Sequence, residues 1–267
     1  MELKFLDKRI LITGASNGLG KSAAIAFEKK GAQLALVARS AEKLEALKDL
    51  FDDPSRHLFF RLDLFDAANI QKLTKKILNQ WDGIDVILHC IGGSFQLNDS
   101  LIKWQDFAEI LKGNIGISSE INRLLVPSMK KQGAGNIIHV GSHVASESRG
   151  SVSVPGSAGS IPYNTAKAAL SGYIRSLGKE LAENSIVVSG ILPGAFYGDN
   201  NSMFRFKYYK PEEYQEFVKS LPQKRMPAVD EYLPMLFLLA NPESKIMSGS
   251  LITMDGGQGN AFYNYSI

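Results

Sequence analysis

"RILITGASNGLGKSAAIAFEKK", residues 9–30, decides how this chain folds. Residues 9–13 are a short aliphatic run of strand type, and from about residue 18 the small and apolar positions take up helical spacing. Between them "TGASNGLG" (13–20) carries glycines at 14, 18 and 20. Positions without side chains let a backbone approach a phosphate closely, and the free N–H groups at a helix start favour its charge. A strand, a glycine turn and a helix in that order imply a seat for the pyrophosphate of a dinucleotide. A tight turn serving packing alone would need the glycines but not both flanks.

Working outward, the same alternation runs along the chain. Strand-like runs stand at 9–13, 33–38, 57–62, 85–91, 136–140, 186–192 and 250–254, and helical patterns at about 18–30, 41–51, 66–81, 101–112, 115–131, 163–183 and 229–240. The strands are continuously apolar, as they must be when helices cover both faces of a parallel sheet. The expectation is an α/β, doubly wound parallel β-sheet in a single domain, 1–267. Only 193–228, rich in aromatics and prolines with one short helix at 211–219, breaks the rhythm. It reads as an insertion over the sheet edge.

Composition sets outer bounds. The 267 residues are 45% hydrophobic and 21% charged, with a net charge of +3, an ordinary globular balance. The lysine pairs at 29/30, 75/76 and 130/131 are scattered, which argues against nucleic-acid binding. Cys90 is the single cysteine, so no internal disulfide can form and metal patterns that need paired cysteines are absent. His139 and His143 are four apart but straddle a strand end, and no metal site is expected. The N-terminus shows no signal-peptide core and the chain no bilayer-spanning run, so a cytoplasmic location off the membrane is expected.

A second motif lies at "IPYNTAK" (161–167), where Tyr163 and Lys167 stand at i and i+4 on one helix face. With "TGASNGLG" this resembles the short-chain dehydrogenase/reductase family, whose marks are a TGxxxGxG turn and a YxxxK pair on a Rossmann-like fold. Other landmarks agree in order along the whole chain. Asn114 in "LKGNIGI" and Ser142 in "HVGSH" match the family's relay asparagine and catalytic serine. Asp63 in "RLDL" matches the acid beside the adenine, "LPG" (Pro193, Gly194) the turn beside the nicotinamide, and "MDGG" (254–257) the C-terminal segment. The resemblance implies a catalytic set of Ser142, Tyr163, Lys167 and Asn114. It implies cofactor contacts from Gly14, Ser16, Asn17, Gly18, Leu19, Gly20, Arg39, Asp63, Leu64, Gly92, Tyr163, Lys167, Pro193 and Gly194.

The pattern is not followed everywhere. His89, Cys90, Ile91 and Gly92 replace the usual Asn-Asn-Ala-Gly, so the strand-ending hydrogen bonds must be made differently. Gly198 stands where a threonine often holds the carboxamide. Extra residues separate Ser142 from Tyr163, in a Ser/Gly-rich loop (146–160) of mobile character.

The chemistry can also be argued from the residues. A free tyrosine has a pKa of about 10, and lowering it by roughly three units needs about 4 kcal/mol of preference for the phenolate. Lys167 and a cationic nicotinamide could supply this jointly. Tyr163 would then pass a proton to a carbonyl oxygen as hydride reaches its carbon, or the reverse, with Ser142 polarising the oxygen. Asn114 could anchor a water that resupplies the proton. Cofactor choice turns on "LVARS" (36–40): Ala38 stands where NAD enzymes place an acid, and Arg39 could form a forked contact with a 2′-phosphate. NADP(H) is favoured, with NAD(H) as the alternative.

The expected activity is interconversion of a ketone and a secondary alcohol; a non-catalytic dinucleotide sensor or scaffold is the competing class. A 3-oxoacyl thioester and a keto-sugar compete as substrates: Lys179 matches a basic position of acyl-carrier reductases, and Gly133 replaces the other. In 195–215, seven aromatics beside Arg205, Lys207 and Lys210 form either a lid whose cations meet an anionic substrate or an aromatic flap with solvated lysines. By family resemblance a homo-oligomer, tetramer or dimer, is expected, helped by the tail aromatics Phe262, Tyr263 and Tyr265.

Overall fold

A computed structural model describes residues 4–97, 99–146, 161–199 and 201–259. Most of the Ser/Gly-rich loop and the tail aromatics lie outside these residues. Seven strands form one parallel sheet: β1 (Arg9–Thr13), β2 (Gln33–Ala38), β3 (Leu58–Arg61), β4 (Val86–His89), β5 (Gly135–Val140), β6 (Ile186–Pro193) and β7 (Leu251–Met254). Their spatial order is β3-β2-β1-β4-β5-β6-β7. The order reverses between β1 and β4, which leaves a crevice at their carboxyl ends where ligands of such sheets bind.

The helices are α1 (Gly18–Glu28), α2 (Ala41–Lys48), α3 (Ala67–Trp81), α4 (Trp104–Leu111), α5 (Ile117–Gln132), α6 (Ile161–Leu181), α7 (Ser202–Tyr209), α8 (Pro211–Ser220) and α9 (Leu233–Ala240). Alternation along β1 shows how they are held. Ile10 and Ile12 pack into one core with Ala23, Phe27 and Leu236 from α1 and α9. Leu11 points into the other, with Leu73, Ile121, Leu125 and Ile174 from α3, α5 and α6. Continuous apolarity in the strands thus serves two cores.

The expected doubly wound sheet is therefore the fold, with three differences from the expected elements. Cys90 and Ile91 leave the fourth strand, which ends at His89. The gap expected between helices at 112 and 115 is a π-helical turn, Lys112–Gly116, that joins α4 to α5. Such turns re-aim side chains and cluster at functional sites. Finally, the insertion holds α7 as well as the expected short helix α8. Asn201 caps α7: its side chain accepts from Phe204 N at 2.8 Å and donates to Phe196 O at 2.7 Å. Met203, Phe206 and Tyr214 give α7 and α8 a small core of their own.

Candidate active site

The glycine turn between β1 and α1 is built by close approach. Gly14 takes a left-handed φ of +66°, and a Cβ on Gly20 would collide with the Gly14 carbonyl. Asn17, the residue before α1, makes no side-chain cap, so the first-turn N–H groups keep their capacity to bind an anion. Around a Cβ built on Gly18 there is nothing within 4 Å. That opening is the space a phosphate needs.

The turn borders a cavity of about 1430 Å³ lined by Gly14, Ser16, Asn17, Gly18, Leu19, Gly20, Arg39, Asp63, Leu64, Gly92, Ser142, Tyr163, Lys167, Pro193 and Gly194. It exceeds the roughly 300–1,000 Å³ of ordinary ligand sites. All but one of the residues expected at the site are thus gathered on one wall or another. The exception is Asn114, which is buried behind the wall. Its amide donates to Gly93 O and Ile110 O, both at 2.8 Å, and its Oδ1 accepts from Gly93 N at 3.0 Å. Both amide hydrogens are engaged, so the side chain fixes the turn after β4.

The altered strand end is resolved in the same way. Cys90 N donates to Thr13 Oγ1 at 3.1 Å, and His89 bonds through Nε2 to Asn122 Oδ1 at 2.9 Å. Burial pushes the Cys90 thiol up to about 12, which makes it a protonated part of the wall rather than a nucleophile.

Tyr163 and Lys167 share a face of the first turn of α6, as their spacing requires. The Tyr163 hydroxyl is hydrogen-bonded to Ser142; burial pushes its pKa up, and that bond opposes the rise. Lys167 Nζ donates to Val140 O at 3.0 Å and lies 5.8 Å from the Tyr163 ring centroid. Burial lowers its pKa to about 8. The expected depression of the tyrosine is thus not made by the protein alone, because desolvation of the phenolate outweighs the help of Ser142.

At the other end of the cavity Arg39 follows β2, and Lys43, which the sequence reading missed, joins it. Lys43 Nζ reaches Asn17 Oδ1 at 3.1 Å, while Ser40 caps α2 by accepting from Lys43 N at 3.2 Å. A serine followed by a lysine three residues on was the available signal, because a capped first turn aims that lysine back toward the β1–α1 turn. Gln258 was also missed. Its amide brackets Ala195, accepting from Ala195 N at 2.7 Å and donating to Ala195 O at 3.0 Å, and so fixes the Pro193–Gly194 turn. Of the three cations expected on the lid, only Arg205 lines the cavity. Lys207 lies over the Tyr197 ring at 5.1 Å and Lys210 pairs with Glu213 at 2.8 Å.

The chain has recognisable relatives. The family model for short chain dehydrogenase matches residues 8–207, and the chain belongs to that family of oxidoreductases. An uncharacterized oxidoreductase of Thermotoga maritima is 29% identical, over 96% of this chain and 98% of the relative. A 3-oxoacyl-acyl-carrier-protein reductase of Aquifex aeolicus is 26% identical, over 96% of this chain and 99% of its own. Among solved structures, NADP-bound ElxO superposes with a TM-score of 0.82 at 22% identity, covering 95% of this chain and 99% of that one. The last likeness is one of fold.

Proposed function

We propose that this chain is an NADP(H)-dependent carbonyl reductase that interconverts a ketone and a secondary alcohol. The observation that carries the reading is the Tyr163 hydroxyl, hydrogen-bonded to Ser142 on the wall of the cavity, with Lys167 one turn further on the same face. A bound nicotinamide supplies or takes the hydride at the carbonyl carbon. Everything else falls to the chain. Ser142 and Tyr163 together hold the carbonyl oxygen and polarise it. Tyr163 gives that oxygen its proton. Lys167, anchored on Val140 O, offers its remaining N–H donors to the cofactor's ribose and to the phenol.

The raised pKa of Tyr163 favours reduction as the direction the chain itself prepares, because a proton donor must be protonated before it acts. NADP(H) is supported by Arg39 and Lys43 lining the adenosine end of the cavity, with Ala38 rather than an acid at the end of β2. The NADP carried by the structural neighbour ElxO agrees with this. A sensor without turnover needs the pocket but not the Ser142–Tyr163–Lys167 set, so the enzyme reading is preferred.

The acyl-carrier reductase among the relatives supports a 3-oxoacyl thioester. However, Gly133 is the left-handed C-cap of α5, with φ +66°, and brings no cation to the place where a basic residue would meet a carrier. A small free ketone fits the chain better. Loss of NADPH absorbance over a panel of ketones, thioesters and keto-sugars tests the proposal. No turnover of any ketone by the unmodified protein, with NADPH bound, would refute it.

A further inference from the structure

The cavity has an unequal charge inventory. Arg39, Lys43, Lys167 and Arg205 line it, against the carboxylates of Asp63 and Asp199 alone. Asp63 Oδ1 is held by Phe65 N at 3.1 Å, and Asp199 faces Lys21 at 3.6 Å. The anionic groups of a bound dinucleotide already have partners by position: the start of α1 for the pyrophosphate, Arg39 and Lys43 for the adenosine end. Lys167 is committed to the Val140 carbonyl. That leaves Arg205 of α7, which lines the cavity and whose guanidinium makes no hydrogen bond or ion pair among the described residues.

Its surroundings differ from those of the other cations. Phe196, Met203, Phe217, Leu221 and Pro222 line the same cavity, contributed by α7, α8 and the turns that lead into and out of them. A guanidinium among these apolar side chains suits a molecule with a hydrophobic body and one acidic end.

We infer that Arg205 is a specificity-determining residue that binds the carboxylate of an otherwise apolar ketone substrate. This rests on the carbonyl-reductase reading above. Forked, charge-assisted hydrogen bonds to a carboxylate are stronger than neutral ones, but Arg205 is solvent-exposed, so water and salt moderate the gain. A preference of about tenfold for acid over neutral analogue is expected on that balance.

The test uses the full-length protein saturated with NADP⁺, titrated calorimetrically with 2-naphthoate and with its neutral amide. The acid should bind about tenfold tighter, the gap narrowing as salt is raised. Arg205→Gln should close the gap, and Arg205→Lys should restore part of it. Equal affinity for acid and amide in the unmodified protein would overturn the inference. So would Arg205→Gln that weakens NADP⁺ binding while leaving the acid-to-amide ratio unchanged, which would assign the guanidinium to a cofactor phosphate. Failure of the reductase reading looks different: the charge preference would persist while no ketone consumes NADPH.

Discussion

Asn114 and Lys167 meet across Gly92: a Cβ built on that glycine would lie 2.8 Å from Asn114 Oδ1 and 2.9 Å from Lys167 Nζ. The π-helical turn delivers the first side chain, α6 delivers the second, and the backbone after β4 passes between them. Gly92→Ala should therefore push Lys167 off the Val140 carbonyl while leaving the two cores untouched. A loss of about tenfold to a hundredfold in kcat, with an unchanged circular dichroism spectrum, is expected, since a displacement near 1 Å at a reacting group has costs of that order. Wild-type kcat in this variant would show that the contact carries no catalytic constraint.

Tyr163→Phe keeps the ring and removes the hydroxyl that Ser142 contacts. Turnover should fall by about a hundredfold to ten-thousandfold, the usual worth of a positioned acid, while NADPH affinity measured by fluorescence changes little. If the variant retains most of its turnover, the proton comes from another group.

Cofactor choice should follow charge at the end of β2. NADPH is expected to bind more tightly than NADH, and Ala38→Asp combined with Arg39→Leu should invert the order by setting a carboxylate against the 2′-phosphate. Lys43→Ala alone should weaken NADPH more than NADH. Equal Kd values for both dinucleotides in the unmodified protein would rule this assignment out.

Lys167 sets an alkaline limit. Its pKa of about 8, lowered by burial, means that the ammonium is lost as pH rises past that value, well below the ordinary lysine range near 10.4. kcat/KM for ketone reduction should decline above about pH 8. Lys167→Arg should shift that limb upward, because the guanidinium stays charged, whatever it does to the absolute rate. A limb that does not move would assign the titration elsewhere.

Acid stability should be poor for a specific reason. His57 and His89 have pKa values lowered to about 4, and His139, stacked on His89 at 4.6 Å, is also lowered by burial. All three are neutral in the fold and protonate near 6.5 when unfolded. Between about pH 6.5 and 4 the unfolded chain binds more protons, so stability falls with pH by up to about 1.4 kcal/mol per unit per histidine. Denaturant midpoints at pH 7 and 5 should differ markedly, and His139→Phe should reduce the difference. A pH-independent midpoint over that range would contradict the burial argument.

The sequence by itself determined the order of elements and the class of chemistry. Continuous apolar runs such as "QLALVA" leave no face for water, and a doubly covered parallel sheet is the arrangement that satisfies them. The glycine turn and the Tyr163–Lys167 pair are local, because their meaning depends on residues within one turn or one helical repeat. Tertiary structure decided what depends on distant neighbours. Asn114 was legible as a site residue, but its use as a clamp on Gly93 requires the backbone after β4 to pass beside it. Arg205, Lys207 and Lys210 are equivalent in the sequence; the packing of Met203 and Phe206 onto α8 turns one toward the cavity and leaves the others to Tyr197 and Glu213. The same limit applies to Tyr163, whose pKa rises because burial, set by the whole fold, outweighs its nearest hydrogen bond. Period and spacing are properties of a segment, whereas desolvation and the partner of a long side chain are properties of whatever the fold brings against it.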